Sequence, residues 1–452
     1  MNCVFCCIFN QPKCVDMFYL LLESIFVYGN LDDNTHVLVY TSTSFMNLIK
    51  ISHLFNADKV KFEINDTYND TGKACISRLD LFKLSSITKY NKILYLDTAI
   101  LVKDDINKVF DVCKGDILYV LEESEINNAS DFWGKSLFGN EINNYNDKTA
   151  FTSGILLFNN CETIKDLFKK IKQDITIRPH KFYDHPHIVY NAFKYNLYNN
   201  KLLKSLVVNN DKNILSNKVI HHFPGAPEEY QHKISQMTDF LNNIKDVTIN
   251  NNINKAKQYI NEHLMQIINN IGELLEGNIF MRHHTTNYTD TFLNKTKNIS
   301  NLVLNKNIKN VMEIGFNSGF STLLMLISNP NIKITCFDLG EHKYTLPCYE
   351  KLKETFGDRI SIIIGDSTKT LNNNNSVYDL VHIDGGHSTQ VATSDIIHSY
   401  RMSKHGTILI MDDYNLDNLH KLWDMYIVKY NLKRLNITVY FSPHHNIKYV
   451  VK

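Results

Sequence analysis

Glu313-Ile314-Gly315-Phe316-Asn317-Ser318-Gly319 opens the stretch from Val311 to Tyr414 that decides the reading of this chain. Asp338 follows, then Asp366-Ser367, then Ile383-Asp384-Gly385-Gly386-His387, then Met411-Asp412-Asp413. These acidic residues and glycines recur at the C-terminal ends of short apolar runs. In an open α/β sheet those ends share one edge, where ligands bind. The pattern predicts a nucleoside-cofactor site with a carboxylate cluster beside it.

Around that stretch the elements alternate. Strands are expected at Asn310–Ile314, Lys333–Phe337, Ile360–Ile364, Leu380–Ile383 and Gly406–Met411. Helices are expected at Gly319–Ser328, Tyr349–Phe356, Thr389–Arg401 and Leu416–Tyr430. Two late runs, Asn436–Phe441 and Ile447–Val451, read as an antiparallel pair closing the sheet. Glycine at 315 and 319 lets backbone approach a ligand, and helix N-terminal amides can bind its carboxylate or hydroxyls. The spacing is Gly-x-x-x-Gly rather than Gly-x-Gly-x-x-Gly, which argues against a dinucleotide. Asp338 can accept both hydroxyls of a ribose, and Asp366-Ser367 lie where an adenine would.

Three carboxylates, Asp384, Asp412 and Asp413, sit at two neighbouring strand ends. They can hold a hard divalent cation such as Mg2+ with positions open to substrate oxygens. The cation would lower the pKa of a bound hydroxyl, and His387 could remove its proton. The plain alternative is a helix-capping acidic pair and a polar loop histidine.

This C-terminal part resembles the class I S-adenosylmethionine-dependent methyltransferases over its last 160 to 200 residues or so. The resemblance implies that Glu313, Gly315, Asn317 and Ser321 contact the methionine side, Asp338 the ribose and Asp366 the adenine side. The Asp-x-x-His segment and the later acidic pair resemble the metal-dependent sugar O-methyltransferases of antibiotic pathways. A catechol-type acceptor stays open.

The first 230 residues form another α/β region. Apolar strands are expected at Cys3–Phe9, His36–Tyr40 and Lys92–Leu96, with a helix from about Lys73 to Lys89. The run Gly154–Phe158 precedes a helix carrying Ile164, Leu167, Phe168 and Ile171 at helical spacing. Leu94-Tyr95-Leu96-Asp97-Thr98-Ala99-Ile100-Leu101-Val102 resembles the Asp-x-Asp region of family 8 glycosyltransferases. So do Arg78-Leu79-Asp80-Leu81-Phe82, Thr152-Ser153-Gly154-Ile155-Leu156 and His222-Phe223-Pro224-Gly225. That family implies a GT-A fold in which two aspartates and the late histidine hold Mn2+ against a nucleotide-sugar diphosphate. Arg78, Asp97, His222 and Gly225 would then face the nucleotide sugar, with Asp184 near the transferred sugar. The chain departs from the family at Ala99, where the second aspartate would be, and at Glu228, where a lysine is expected. Mn2+ binding is thereby weakened.

Between the two regions, Met237, Phe240, Leu241 and Ile244 suit one helix, Asn250 to Asn252 punctuate, and Ala256 to Leu274 suit a second. The expected organisation is a glycosyltransferase-like domain over 1–232, a helical linker over 233–252 and a methyltransferase domain over 253–452. The 452 residues are 44% hydrophobic and 21% charged with net charge +1. That balance is globular and gives no electrostatic case for nucleic acid. No apolar run spans a bilayer, since Met17–Tyr28 is interrupted by Glu23 and Ser24. A soluble, cytoplasmic protein is expected. Nine cysteines suggest no disulfide framework, and Cys3, Cys6, Cys7 and Cys14 read as buried thiols rather than a zinc knuckle. The expected activity joins glycosyl transfer with methylation of a sugar hydroxyl. The alternative makes the first domain a non-catalytic carbohydrate-binding module serving the methyltransferase.

Overall fold

The computed structural model describes residues 1–127, 130–225 and 229–452. Glu228 therefore lies outside the described residues. The chain divides into two compact units, residues 1–50 with 55–241, and residues 51–54 with 242–452.

In the first unit, β1 (Asn2–Ile8), β2 (Thr35–Thr41), β3 (Val60–Ile64) and β4 (Lys92–Leu96) pair in parallel. β5 (Ile100–Val102) leaves this layer. β6 (Leu118–Glu125), β7 (Thr149–Asn159) and β8 (Tyr198–Asn199) complete a sheet of order β3-β2-β1-β4-β7-β6-β8, with β7 antiparallel to both neighbours. A second sheet of order β5-β10-β9 uses β9 (Val207–Asn209) and β10 (Ile220–His222). Residues buried on both faces make β1 and β4 continuous apolar runs, as a covered parallel sheet requires. Phe5, Ile93, Leu156 and Phe158 share one core with Leu167, Phe168 and Ile171 of the helix Glu162–Ile177. Cys3 and Cys6 lie fully buried on β1, and all nine cysteines are free thiols.

The helix expected from Lys73 to Lys89 is shorter. A true α-helix spans Thr71–Ile76, and 3-10 turns follow over Ser77–Lys83 and Ile87–Lys89. The tighter winding carries Arg78 and Asp80 into the interior, where Asp184 and Lys172 meet them.

In the second unit β11 (Asn310–Ile314), β12 (Lys333–Asp338), β13 (Ile360–Ile364), β14 (Tyr378–Ile383), β15 (Ser403–Met411) and β16 (Asn446–Tyr449) form a sheet of order β13-β12-β11-β14-β15-β16. All pairs are parallel except β15 with β16. Chain order reverses between β11 and β14, and such a switch point opens a crevice beyond the strand ends. Trp423, fully buried on the helix Asp417–Lys429, packs with Met312, Val381 and Leu409 in the core.

Two local expectations are corrected. Asn250–Asn252 do not break the helix, which runs unbroken over Tyr230–Tyr259 and continues through a π-turn into Met265–Ile271. Ile249 and Ile253 are buried on either side of the asparagines, and that packing overrides their weak helix propensity. Asn436–Phe441 is not a strand. Its carbonyls at Thr438, Tyr440 and Phe441 accept from the amides of Asn301, Asn298 and Asn294, at 2.9, 2.8 and 2.7 Å. Those asparagines recur along one side of the helix Leu293–Val303 and serve the segment as a neighbouring strand would.

Candidate functional site

The crevice between β11 and β14 is a cavity of 480 Å³ lined by Gly315, Asn317, Asp338, Asp366, Ser367 and Asp384, among others. That volume suits a small-molecule cofactor. Gly315 has φ +94°, and a Cβ there would lie 1.9 Å from the Asp384 carbonyl oxygen, so only glycine fits. Asp338 Oδ2 accepts the backbone N–H groups of Phe316 and Asn317 at 2.9 and 2.8 Å. Its Oδ1 accepts from the Gly340 N–H at 2.7 Å. These bonds fix the glycine turn, fill both lone pairs of Oδ2 and leave one on Oδ1 for a ligand hydroxyl.

Beneath the cavity runs a buried line of charge. Glu313 accepts from Ser321 Oγ at 2.5 Å, from Thr322 Oγ1 and from His382 Nδ1 at 2.9 Å. His382 Nε2 reaches Asp412 Oδ2 at 3.3 Å. The same oxygen meets Lys295 Nζ at 2.5 Å and His445 Nε2 at 3.6 Å. Burial opposes the charge on His382, but Asp412 and Glu313 outweigh it and raise its pKa to about 10. His382 is therefore an imidazolium wedged between two carboxylates. Burial lowers His445 to about 4, leaving it neutral.

At the edge of this line Asp384, Asp412 and Asp413 each offer a carboxylate oxygen, all within 4.8 Å of one another. Burial and the neighbouring Asp412 push Asp384 well above the usual carboxylate range. Three hard oxygens that resist joint ionisation are a donor set suited to a divalent cation. A second group, His382, Asp412 and His445, is also compact. It shares Asp412 with the first group, and its His382 is already held at Nδ1 by Glu313. Asp413 takes φ +50° as the chain leaves β15, and its Oδ2 meets His387 Nε2 at 2.9 Å. That contact raises the pKa of His387 and leaves Nδ1 as the nitrogen able to take a proton. Asp395 lies under Gly385, and burial, partly offset by Ser367, raises it to about 6.

In the first unit, Asp97 Oδ2 and His222 Nε2 converge over Gly154, within 2.8 and 3.1 Å of where a Cβ would stand. His222 Nδ1 bonds Asn209 Oδ1 at 2.9 Å, and the Asn209 amide donates to Glu123. Burial lowers His222 to about 4, so Nε2 carries a lone pair toward Asp97. Glu123 and Asn209 also line a cleft of 500 Å³ with Lys204 and Lys218. Ala99 contributes only a methyl group, and two donors alone do not make a Mn2+ site.

The comparisons with known proteins meet this geometry. Residues 312–414 match the sequence profile of a methyltransferase domain, and residues 39–184 that of glycosyl transferase family 8. The chain carries two transferase domains. No curated protein matches the chain. Among solved structures, mouse xyloside xylosyltransferase 1 is similar at 13% identity, covering 49% of this chain and 98% of its own, with a TM-score of 0.36. A Staphylococcus aureus protein assigned as a caffeoyl-CoA O-methyltransferase is 17% identical, covering 43% and 99%, with a TM-score of 0.31. S-adenosylhomocysteine-bound Podospora anserina methyltransferase PaMTH1 is 14% identical, covering 36% and 80%, with a TM-score of 0.30.

In the methyltransferase domain the cavity gathers Gly315, Asn317, Asp338, Asp366 and Ser367. Glu313 and Ser321 are not among the residues lining that cavity. Glu313 is fully buried, and its oxygens are taken by Ser321, Thr322 and His382. Ser321 is buried as well, with its hydroxyl given to Glu313. In the glycosyltransferase domain the expected donor contacts Arg78 and Asp184 are committed to each other. Arg78 Nε lies 2.7 Å from Asp184, and both side chains are buried. Arg78 also donates to the Ser153 carbonyl and approaches Asp97 Oδ1 at 3.5 Å, the oxygen that accepts from the Tyr95 hydroxyl at 2.5 Å. Gly225 takes φ +152°, and its carbonyl accepts from Lys233 Nζ at 2.6 Å. Lys295, His382, His445, Glu123 and Asn209 went unread in the sequence. His382 alone carried a signal, two residues before Asp384 in the otherwise apolar run Leu380–Ile383.

Proposed function

We propose that the chain builds and methylates a glycan, with the methyltransferase domain acting on a sugar hydroxyl. The observation that carries this reading is Asp384, which lines the cofactor cavity and also belongs to the carboxylate cluster. An acceptor oxygen held at Asp384 therefore lies beside the cofactor. Bound S-adenosylmethionine supplies an electrophilic methyl group on sulfonium. Asp384, Asp412 and Asp413 would hold Mg2+, whose charge lowers the pKa of a bound hydroxyl. Asp413 orients His387, and His387 Nδ1 accepts the hydroxyl proton as the oxygen takes the methyl group. The glycosyltransferase domain on the same chain supports a sugar as the owner of that hydroxyl.

Radiolabelled methyl transfer to nucleotide sugars, free sugars and a catechol tests this, with and without EDTA. Labelled sugar that is lost with EDTA and in Asp384→Ala supports the reading. Labelling of the catechol alone sinks the sugar, and activity unchanged in both controls sinks the metal.

For the glycosyltransferase domain we propose nucleotide-sugar binding over Asp97 and His222, with transfer to the glycan. Ala99 favours a second reading, a non-catalytic carbohydrate-binding module that delivers acceptor. Transfer and hydrolysis assays with Mn2+ separate the two. If only Ala99→Asp gains metal binding and activity, the module reading holds for the native chain.

A further inference from the structure

Lys295 belongs to no motif of either domain, yet it stands against the Asp384–Asp412–Asp413 cluster. It projects from the helix Leu293–Val303, is 6% exposed, and places its ammonium 2.5 Å from Asp412 Oδ2. A lysine is rarely buried this far without a counter-charge. Its counter-charge here is Asp412, whose carboxylate meets the ammonium directly. Those are the same three carboxylates whose oxygens converge within 4.8 Å. The helix is also held in place. Asn294, Asn298 and Asn301 hold the segment Asn436–Phe441, and Lys297 pairs with Asp246 at 3.1 Å.

We propose that Lys295 is a tethered counter-cation of the Asp384–Asp412–Asp413 cluster, with which any divalent cation must share Asp412, so that Lys295 sets how tightly the metal is held. The inference rests on the reading of those carboxylates as the acceptor-side cluster. Two consequences follow from Coulomb's law. The cluster stays assembled without metal, because one of its charges is already compensated. A divalent cation arriving there meets a fixed positive charge a few ångströms away, which weakens its binding.

The test titrates the full-length protein, free of cofactor, with MnCl2 by calorimetry. Lys295→Met keeps the aliphatic stem and removes the charge. Its Mn2+ dissociation constant is expected to fall at least about tenfold below that of the native protein. Mn2+ should also raise its Tm more than it raises the native one, because Asp412 has lost its ammonium partner and keeps only His382 and His445 beside it. Equal affinities, weaker binding in Lys295→Met, or no binding in either protein would overturn the proposal. Lys295→Arg guards against a misfolded methionine variant. It keeps the charge and should bind Mn2+ within about threefold of native, and a gain of the size expected for methionine would overturn the idea. Adding Asp384→Ala to Lys295→Met should abolish the gained binding, and persistence would place the gain elsewhere and overturn it too. These titrations need neither cofactor nor acceptor, so failure to methylate a sugar leaves them standing. EDTA-insensitive methyl transfer alongside tighter Mn2+ binding in Lys295→Met would remove the metal from the reaction while keeping the role of Lys295.

Discussion

Glu313 and His382 sit opposite each other on the parallel strands β11 and β14, both fully buried and joined by a 2.9 Å hydrogen bond. His382 is therefore a bridge between the strand that opens the cofactor cavity and Asp412 on the acceptor side. Removing one member of a buried ionic set leaves charge uncompensated, at a cost of roughly 3 kcal/mol. His382→Gln should lower the stability of the methyltransferase domain by about that amount in urea denaturation. A loss below about 1 kcal/mol would mean the bridging charge contributes little.

The asparagine rungs on Leu293–Val303 make a second prediction. Asn298 donates to the Tyr440 carbonyl and accepts from the Tyr440 N–H, each at 2.8 Å. Asn298→Leu strands both groups and should cost about 1–3 kcal/mol. Hydrogen exchange at the Tyr440 amide should accelerate well beyond that of amides in β11. Unchanged protection would show that the segment is held by other contacts.

Gly315→Ala should abolish cofactor binding rather than weaken it slightly. The added Cβ would overlap the Asp384 carbonyl at 1.9 Å, and φ +94° is strained for alanine. Calorimetry with S-adenosylhomocysteine checks this, and native affinity in the variant would mean that the two strand ends can part.

Glu123 gives the glycosyltransferase domain a pH dependence. Burial raises its pKa from 4.5 to about 7, partly offset by the Asn209 amide. Between those values the folded protein keeps a proton that the unfolded chain releases. Stability is then greatest below about 4.5 and declines as pH rises toward about 7, by up to roughly 3 kcal/mol. Glu123→Gln should match the native protein at pH 4 and exceed it at pH 8, in thermal melts of the full chain. Parallel profiles for the two proteins would exclude Glu123 as the source.

Much of this was legible in the chain itself. Strand ends carrying Gly315, Asp338, Asp366, Asp384 and Asp412 could be read because a parallel strand is a short apolar run, and a polar residue ending it is conspicuous. Lys295 could not, since a lysine on a largely polar helix reads as a solvated face until the sheet edge is seen against it. Asparagine misled at Asn250–Asn252, and the bonds from Asn294, Asn298 and Asn301 to Asn436–Phe441 went unread. An asparagine amide suits loops locally, but in a folded interior it can replace a strand. Arg78 and Asp184 show the reverse limit, because a motif supplies residue types without revealing that two of them satisfy each other.

The position of Asp384 has a kinetic consequence. A side chain that walls two spaces at once makes the occupant of one part of the other's boundary. Methyl donor and acceptor must then be present together before anything is released, so steady-state lines should intersect rather than run parallel. A compulsory order, donor first and methylated product leaving before the spent donor, would follow if the 480 Å³ cavity has to be filled to complete that wall.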